Sequence, residues 1–180
     1  MRGYLCELGC LVILLAISGA VSPAWGVEIG QPSPALVIRQ LDGKSFDLNA
    51  QRGKVVVVSF WATWCPPCRA EMPVLDAVYR RYRDQGLAMV GLSADRPHDR
   101  DAALKMAQTA GYPEAILNDA GTNDFGRPGG LPLTLVIDRG GTVRFKFSGD
   151  EPVTEAKLFA AVAQLLAEHP EDKSRKEDKP

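Results

Sequence analysis

The chain has no surplus of either charge and very few histidines. Its 180 residues carry 21 Lys and Arg against 22 Asp and Glu, which gives a formal net charge of -1, and there are 2 histidines. A chain without a basic surplus lacks the usual electrostatic attraction to nucleic acids and anionic membrane surfaces. We therefore expect no nucleic-acid partner.

Cysteine is also scarce, with 4 residues in the whole chain. Cys6 and Cys10 lie in an apolar N-terminal segment, so residues 27–180 contain only Cys65 and Cys68. A closed structural zinc site needs four ligands, which two cysteines cannot supply. We expect no metal and no cofactor, and the redox-active group would be the Cys65–Cys68 pair itself.

The N-terminal segment resembles an export signal. Arg2 precedes the apolar run 11–17, and Ala24-Trp25-Gly26 resembles a cleavage site before Val27. A cut after Ala24 is one alternative, and an uncleaved membrane anchor is another. Either way, the folded part is predicted to face a periplasmic or other extracytoplasmic compartment, in which disulfides persist.

The rest of the chain contains no internal repeat, low-complexity segment or linker that would divide it. We predict a signal peptide or membrane anchor over residues 1–26, one domain over residues 27–168, and a charged disordered tail over residues 169–180. The membrane would be contacted only through an N-terminal anchor, and we expect a monomer.

Hydrophobic periodicity predicts an α/β domain. The continuous run of mostly β-branched residues from Val55 to Phe60 predicts a strand covered on both faces, and helical spacing predicts a helix from Pro66 to Gln85, ended by Gly86. The other predicted elements are a hairpin of strands 35–39 and 45–48, a strand at 87–92, a helix at 99–110, strands at 133–137 and 142–147, and a last helix capped by Thr154. This order predicts a mixed central sheet sandwiched by helices, with an added N-terminal β-hairpin.

Two cysteines three residues apart stand where the buried strand passes into the first helix. The start of a helix stabilises the thiolate of Cys65, which is the form that attacks disulfides. Cys68 lies about one turn further on, close enough for an intramolecular disulfide. The pair therefore predicts thiol-disulfide exchange. A permanent disulfide clip is the alternative, but it would close only a short loop and stabilise little.

The stretch from Phe60 to Pro73, together with the element order, resembles the exported TlpA/ResA-like branch of the thioredoxin superfamily. The resemblance extends over nearly all of residues 27–168. It implies a thioredoxin fold, with Cys65 as the exposed nucleophile and Cys68 as the resolving thiol. It also implies client proteins with disulfides or thiols, such as apocytochrome c or a copper-site protein, and a membrane thiol carrier as electron donor.

Glu71 lies three residues after Cys68, so the two share a helix face. The resemblance implies that this carboxylate tunes the protonation of the cysteines, and it would accept the proton of Cys68. A simple charge complement to the helix dipole is the alternative. Ser59 stands where thioredoxin has a buried aspartate, so the absence of that acid increases the demand on Glu71.

Residues around the cysteine pair are expected to contact the client. Trp64 would form an apolar rim, and Pro66 and Pro67 would stiffen the loop between the two sulfur atoms. Leu131-Pro132 matches the cis-proline segment of the family, whose backbone would receive the client chain as an added strand.

Two other functions are compatible with this fold class. A thiol peroxidase of the redoxin class would carry Pro-x-x-x-Thr-x-x-Cys, whereas Thr63 lies two residues before Cys65 and lacks that proline. A copper-delivery protein of thioredoxin fold would carry Cys-x-x-x-Cys and a downstream histidine ligand. This chain has one spacer residue fewer, and His98 and His169 are expected on the surface.

Overall fold

The computed structural model describes residues 27–149 and 153–168. The expected signal or anchor segment, with Cys6 and Cys10, lies outside the described residues, as does the tail that contains His169. None of the helices in the described ranges has the length and apolar character that crossing a membrane requires.

The central sheet has five strands, which are β3 (Val55–Trp61), β4 (Leu87–Ser93), β5 (Glu114–Ile116), β7 (Leu133–Ile137) and β8 (Val143–Ser148). Their order across the sheet is β5-β4-β3-β7-β8. The pairs β3–β4 and β4–β5 are parallel, while β3–β7 and β7–β8 are antiparallel. Every residue of β3 is buried, as its apolar run predicts, and the predicted mixed sheet is confirmed.

A second, smaller sheet contains the predicted N-terminal hairpin. Its strands are β1 (Leu36–Arg39), β2 (Ser45–Asp47) and β6 (Thr122–Asn123), in the order β2-β1-β6. The Asp42 carboxylate accepts a hydrogen bond from the Lys44 backbone N–H at 2.9 Å, which closes the turn between the first two strands. The third strand was not predicted.

Three helices complete the fold, α1 (Pro66–Tyr82), α2 (Arg100–Ala107) and α3 (Glu155–Ala167). The first helix ends earlier than predicted because a tight 3₁₀ turn follows it over residues 83–85, and Gly86 then takes a left-handed conformation with φ 97°. The second helix is also shorter than predicted. Thr154 caps the third as predicted, since its hydroxyl oxygen accepts the Lys157 N–H at 3.3 Å.

Alternate residues of β3 point into different parts of the core. Val55 and Val57 pack with side chains of α1 and α3, whereas Val56, Val58 and Phe60 pack with the small sheet. One face of the central sheet is therefore covered by helices and the other by the added sheet. A third cluster gathers at the end of β3, and it comprises Trp61, Ala62, Cys65, Cys68, Ala103, Ala107 and Ile116.

Strands β5 and β6 were not predicted from the sequence because both are very short. They contain three and two residues, which is too few for a period of two to be recognised. Their pairing comes from neighbours distant in the chain, β4 for the first and β1 for the second. Strand β5 has the larger consequence, because it brings a buried carboxyl group to the cysteine end of the sheet.

Candidate active site

The two cysteines lie at the junction of β3 and α1, as their position in the sequence predicts. They form a disulfide, with their Cα atoms 5.3 Å apart. Cys65 occupies the N-cap position of α1, and its Sγ accepts a hydrogen bond from the Cys68 backbone N–H at 3.3 Å. Pro66 and Pro67 form the first helical turn, where a missing N–H is least costly.

Both sulfur-bearing residues are buried in this disulfide form. Cys65 is 4% exposed and Cys68 is 2% exposed, so the expectation of an exposed Cys65 is wrong for the oxidised pair. The physical reason is that the N-cap position turns the Cys65 sulfur towards the first amides of the helix, in the cluster with Trp61. The exposed group beside the pair is Trp64, which is 62% exposed and suits the predicted apolar rim.

A buried carboxylate supports the turn that precedes Cys65. The Asp95 carboxylate accepts hydrogen bonds from the Thr63 backbone N–H at 3.0 Å, from the Thr63 hydroxyl at 2.7 Å and from the Ser93 hydroxyl at 2.9 Å. Arg69 also donates to the Thr63 carbonyl at 2.9 Å. The sequence analysis overlooked Asp95, although an acidic residue just after a buried parallel strand is a recognisable signal.

The peptide bond between Leu131 and Pro132 is cis, as the resemblance implies. Leu131 packs against the cluster that contains the cysteines, and Pro132 is buried at the start of β7. Beside them lies a groove of about 390 Å³, which Gly129, Gly130, Leu131 and Leu133 help to line.

Glu71 is fully inside the protein rather than at its surface. It is 5% exposed and lies on the same buried face of α1 as Cys68. Its Oε1 accepts a hydrogen bond from the Val153 backbone N–H at 3.1 Å, which ties α1 to the segment before α3. Burial raises the pKa of the Glu71 carboxyl, although the hydrogen bond from Val153 opposes the shift.

A second buried acid, Glu114 of β5, was not expected from the sequence. It is 4% exposed, and its Oε2 accepts a hydrogen bond from the Trp61 indole N–H at 2.8 Å. Burial raises the pKa of Glu114 to about 8, even though the hydrogen bond from Trp61 opposes the shift. The carboxyl group lies against the bare Cα of Gly91, where any side chain would overlap it.

This carboxyl group changes the comparison with thioredoxin. Ser59 carries no carboxyl group, and its hydroxyl accepts a hydrogen bond from the Thr134 hydroxyl at 3.0 Å. Strand β5, which lies beyond β4 in the sheet, nevertheless contributes the buried Glu114, whose carboxyl accepts a hydrogen bond from Trp61 of the cysteine cluster. Glu114 could have been recognised from the sequence, because it is an acidic residue directly followed by the apolar Ala115 and Ile116.

Within residues 27–149 and 153–168, no group of three or more His, Cys, Asp and Glu side chains is arranged to hold a metal ion. His98 is exposed, as expected, and its Nε2 lies 3.1 Å from the Asp99 carboxylate.

Known proteins are similar to this chain in sequence and in fold. The AhpC/TSA family model matches residues 29–146. The thiol-disulfide oxidoreductase ResA of Bacillus cereus is 32% identical over 152 residues, which cover 78% of this chain and 87% of that protein. The ResA of Geobacillus thermodenitrificans is 33% identical over 126 residues, which cover 68% of this chain and 71% of that protein.

A solved structure has a fold similar to that of this chain. A thiol:disulfide interchange protein of the thioredoxin family from Chlorobium tepidum superposes with a TM-score of 0.61 and 27% identity, covering 79% of this chain and 100% of that one. These relatives are a thiol-disulfide oxidoreductase and a thiol:disulfide interchange protein, and in this chain Cys65 and Cys68 form a disulfide. The chain belongs to the AhpC/TSA family and to the ResA-type thiol-disulfide oxidoreductases, and it has their thioredoxin-like fold.

Proposed function

We propose that this thiol-disulfide oxidoreductase reduces disulfides in client proteins outside the cytoplasm, in a cytochrome c or copper-site maturation process. The observation that carries the proposal is the Cys65–Cys68 disulfide at the start of α1, with Cys65 as the N-cap. A thiol in this position is held as a thiolate by the helix N-terminus, and the thiolate is the attacking form.

Cys65 is the proposed attacking residue, and Cys68 resolves the intermediate. The Cys65 sulfur accepts the Cys68 amide N–H, and this hydrogen bond favours its negative charge. Among the described residues, no N–H donates a hydrogen bond to the sulfur of Cys68, which lies one turn further into the helix. Cys65, which lies at the N-terminus of α1, is therefore the better nucleophile.

Each turnover begins with the reduced pair. The Cys65 thiolate attacks one sulfur of the client disulfide, forms a mixed disulfide and releases the other client sulfur as a thiolate, which takes up a proton. The Cys68 thiolate then attacks the Cys65 sulfur and releases the second client thiol. The client gains two electrons, and the enzyme is left with its Cys65–Cys68 disulfide. A membrane thiol carrier, oxidised in turn, returns the pair to the dithiol form.

Glu71 is proposed to accept the proton of Cys68 before the second attack. Its support is the shared buried face of α1 and a pKa raised by burial, which makes its carboxylate a stronger base. The hydrogen bond from Val153 holds the carboxylate in place.

The client-binding site is proposed to comprise Trp64, Pro66, Pro67, Leu131 and Pro132. The first three are exposed beside the buried sulfur atoms, Leu131 lines the groove, and Pro132 forms the cis peptide bond with Leu131. A client chain laid along Leu131 in extended form would bring its disulfide to the N-terminus of α1.

The proposed organisation of the chain agrees with this role. Residues 1–26 are a signal peptide or membrane anchor, residues 27–168 form the catalytic domain, and residues 169–180 form a charged tail. The enzyme works as a monomer, and its clients and its electron donor meet the cysteine pair in the periplasm or an equivalent compartment.

The redox potential of the pair tests the direction of electron flow. The purified domain is equilibrated in glutathione buffers, and its dithiol and disulfide forms are quantified. A potential near that of thioredoxin, about −270 mV, supports a reductant, whereas a potential near that of disulfide donors, about −120 mV, overturns the proposal.

Trapping with single-cysteine variants tests the roles of the two residues. Cys68→Ala keeps the attacking thiol, so it should accumulate mixed disulfides with clients when expressed as the full chain. Cys65→Ala is the matched control and should trap none. Equal trapping by both variants would contradict the assignment of Cys65 as the attacker.

A further inference from the structure

A second groove opens beside Trp64, and Arg127 lines both this groove and the one at the cis-proline. This second groove has a volume of about 490 Å³ and is lined by Trp64, Ala94, Arg96, His98, Asp99 and Arg127. Trp64 directly precedes Cys65, so a segment bound in this groove would be continuous with a sulfur atom under attack by Cys65. We call this surface the cationic groove.

The two arginines of the groove lack carboxylate partners among the described residues. Arg127 donates hydrogen bonds to the Ala94 carbonyl at 2.8 Å and to the Asn118 side-chain oxygen at 2.6 Å, and both acceptors are neutral. The Arg96 side chain is exposed, and it makes no hydrogen bond or ion pair within the described part of the chain. Both guanidinium groups therefore carry positive charge that the protein itself leaves available.

The acidic residues nearby do not cancel this charge. Asp99 is the only carboxylate among the six lining residues, so the two arginines leave this lining with a formal charge of +1. Asp95 is 2% exposed, and its carboxylate accepts hydrogen bonds from Thr63 and Ser93 inside the turn. Asp119 is already paired with Arg100 at 2.7 Å. The surface offered to a partner is consequently cationic beside an exposed indole.

We propose that the cationic groove binds an acidic segment of the client protein that flanks the client cysteine. This inference rests on the proposed function, because it assigns a chemical class to the clients of the same cysteine pair. Arginine forms bidentate hydrogen bonds with carboxylates, which makes Arg96 and Arg127 suitable for Asp and Glu side chains. Trp64 supplies apolar contact area next to them.

The charge of the groove affects mainly how fast the client arrives. Complementary charges raise association rates and their effect declines with added salt, whereas like charges repel the wrong partner. Clients with acidic residues beside the cysteine should therefore react faster than those with lysines, and the difference should shrink as ionic strength rises.

Peptide disulfides of matched sequence test the proposal. Each peptide carries one cysteine bonded to thionitrobenzoate and four flanking residues that are all Glu, all Ser or all Lys. The full chain is reduced with dithiothreitol, which is then removed. The Cys65 thiolate attacks the peptide sulfur and coloured thionitrobenzoate leaves with the bonding electrons. The Cys68 thiolate then displaces the peptide thiol, which takes up a proton.

At low salt, the Glu peptide should react on the order of tenfold faster than the Ser peptide, and the Lys peptide should react more slowly than both. Arg96→Glu should abolish or reverse this order, and Arg127→Gln should weaken it. Arg81→Glu is the matched control, since Arg81 lies at the far end of α1, about 24 Å along the helix at 1.5 Å per residue. Arg81→Glu changes the net charge by the same amount as Arg96→Glu, and it should leave the order of the three peptide rates unchanged.

The outcomes separate the groove from the proposed function. If the wild-type protein reduces the Ser peptide but treats all three peptides alike, the proposed function stands and the cationic groove is refuted. If no peptide is reduced, the proposed function fails. An equal effect of Arg96→Glu and Arg81→Glu would show that net charge alone matters, which overturns the groove. Inorganic phosphate that slows the Ser peptide more than chloride of equal ionic strength would indicate a site for small anions and would also overturn it.

Discussion

Replacing Glu114 by glutamine should remove a strong pH dependence of stability. Glu114 is 4% exposed and accepts the Trp61 indole N–H at 2.8 Å, and burial raises its pKa to about 8. Glutamine has nearly the same shape and keeps an oxygen acceptor for the indole, but it cannot ionise. The variant therefore isolates the proton of Glu114 from its packing.

The direction and size of the effect follow from proton linkage. The free energy of unfolding changes by about 1.36 kcal/mol per pH unit for each proton that the folded state holds and the unfolded state has lost. An unfolded glutamate has a pKa of about 4.3, so Glu114 is protonated only in the folded state between that pH and about 8. Its contribution is fully present below the unfolded pKa and is lost as pH rises through the folded pKa.

From pH 5 to pH 7, the wild type should therefore lose about 3 kcal/mol of unfolding free energy relative to Glu114→Gln. Tyr112, which also faces this carboxyl, stays neutral throughout because burial raises its own pKa. The shift is large against a typical domain stability of about 5–15 kcal/mol, so it is measurable by urea unfolding of the disulfide form.

Asp119→Asn provides the control for this experiment. Asp119 is paired with Arg100, and that hydrogen bond lowers its pKa, so its titration is complete below pH 5. The difference between this variant and the wild type should be the same at pH 5 and pH 7. If the difference between wild type and Glu114→Gln is also constant, then the carboxyl of Glu114 titrates normally and the reasoning is refuted.

Three further predictions concern other residues of the site. Gly91→Ala should destabilise the fold by about 1–3 kcal/mol in urea unfolding, because its Cβ would overlap the buried carboxyl of β5, whereas Gly129→Ala, which meets open space, should change stability little. Asp95→Ala should cost about 1–3 kcal/mol and slow peptide reduction, because the turn before the cysteines loses its acceptor; unchanged kinetics would contradict a supporting role. Glu71→Gln should flatten the rise with pH in the rate at which Cys68 resolves the mixed disulfide between Cys65 and a peptide, measured by quenched flow, and a profile identical to wild type would exclude the proposed proton acceptor.

Local sequence patterns predicted the framework of the site well. The run from Val55 to Phe60 predicted the central strand, and the helical spacing after Pro66 predicted α1, because both elements are long enough for their hydrophobic periods to be recognised. The position of Cys65 and Cys68 between them followed directly. The cis bond before Pro132 was predicted through the family resemblance rather than from periodicity.

Contacts between distant segments were not predictable in the same way. Strand β5 has three residues and pairs with β4, so Glu114 reaches Trp61 across a separation of 53 residues. Asp95 reaches Thr63 across 32 residues. Neither contact can be predicted from the hydrophobic periodicity of the local sequence.

The sequence by itself determined the chemistry and the elements that carry it. Two cysteines at a strand-to-helix junction specify thiol-disulfide exchange, because the helix N-terminus and the one-turn spacing are local properties of the chain. Only the tertiary structure decided the surroundings of the pair: the burial of Cys65, the acid of Glu114 beneath Trp61, and the meeting of Arg96 and Arg127 beside Trp64. Burial and charge depend on which segments pack together, and that is settled by the whole core rather than by neighbours in sequence.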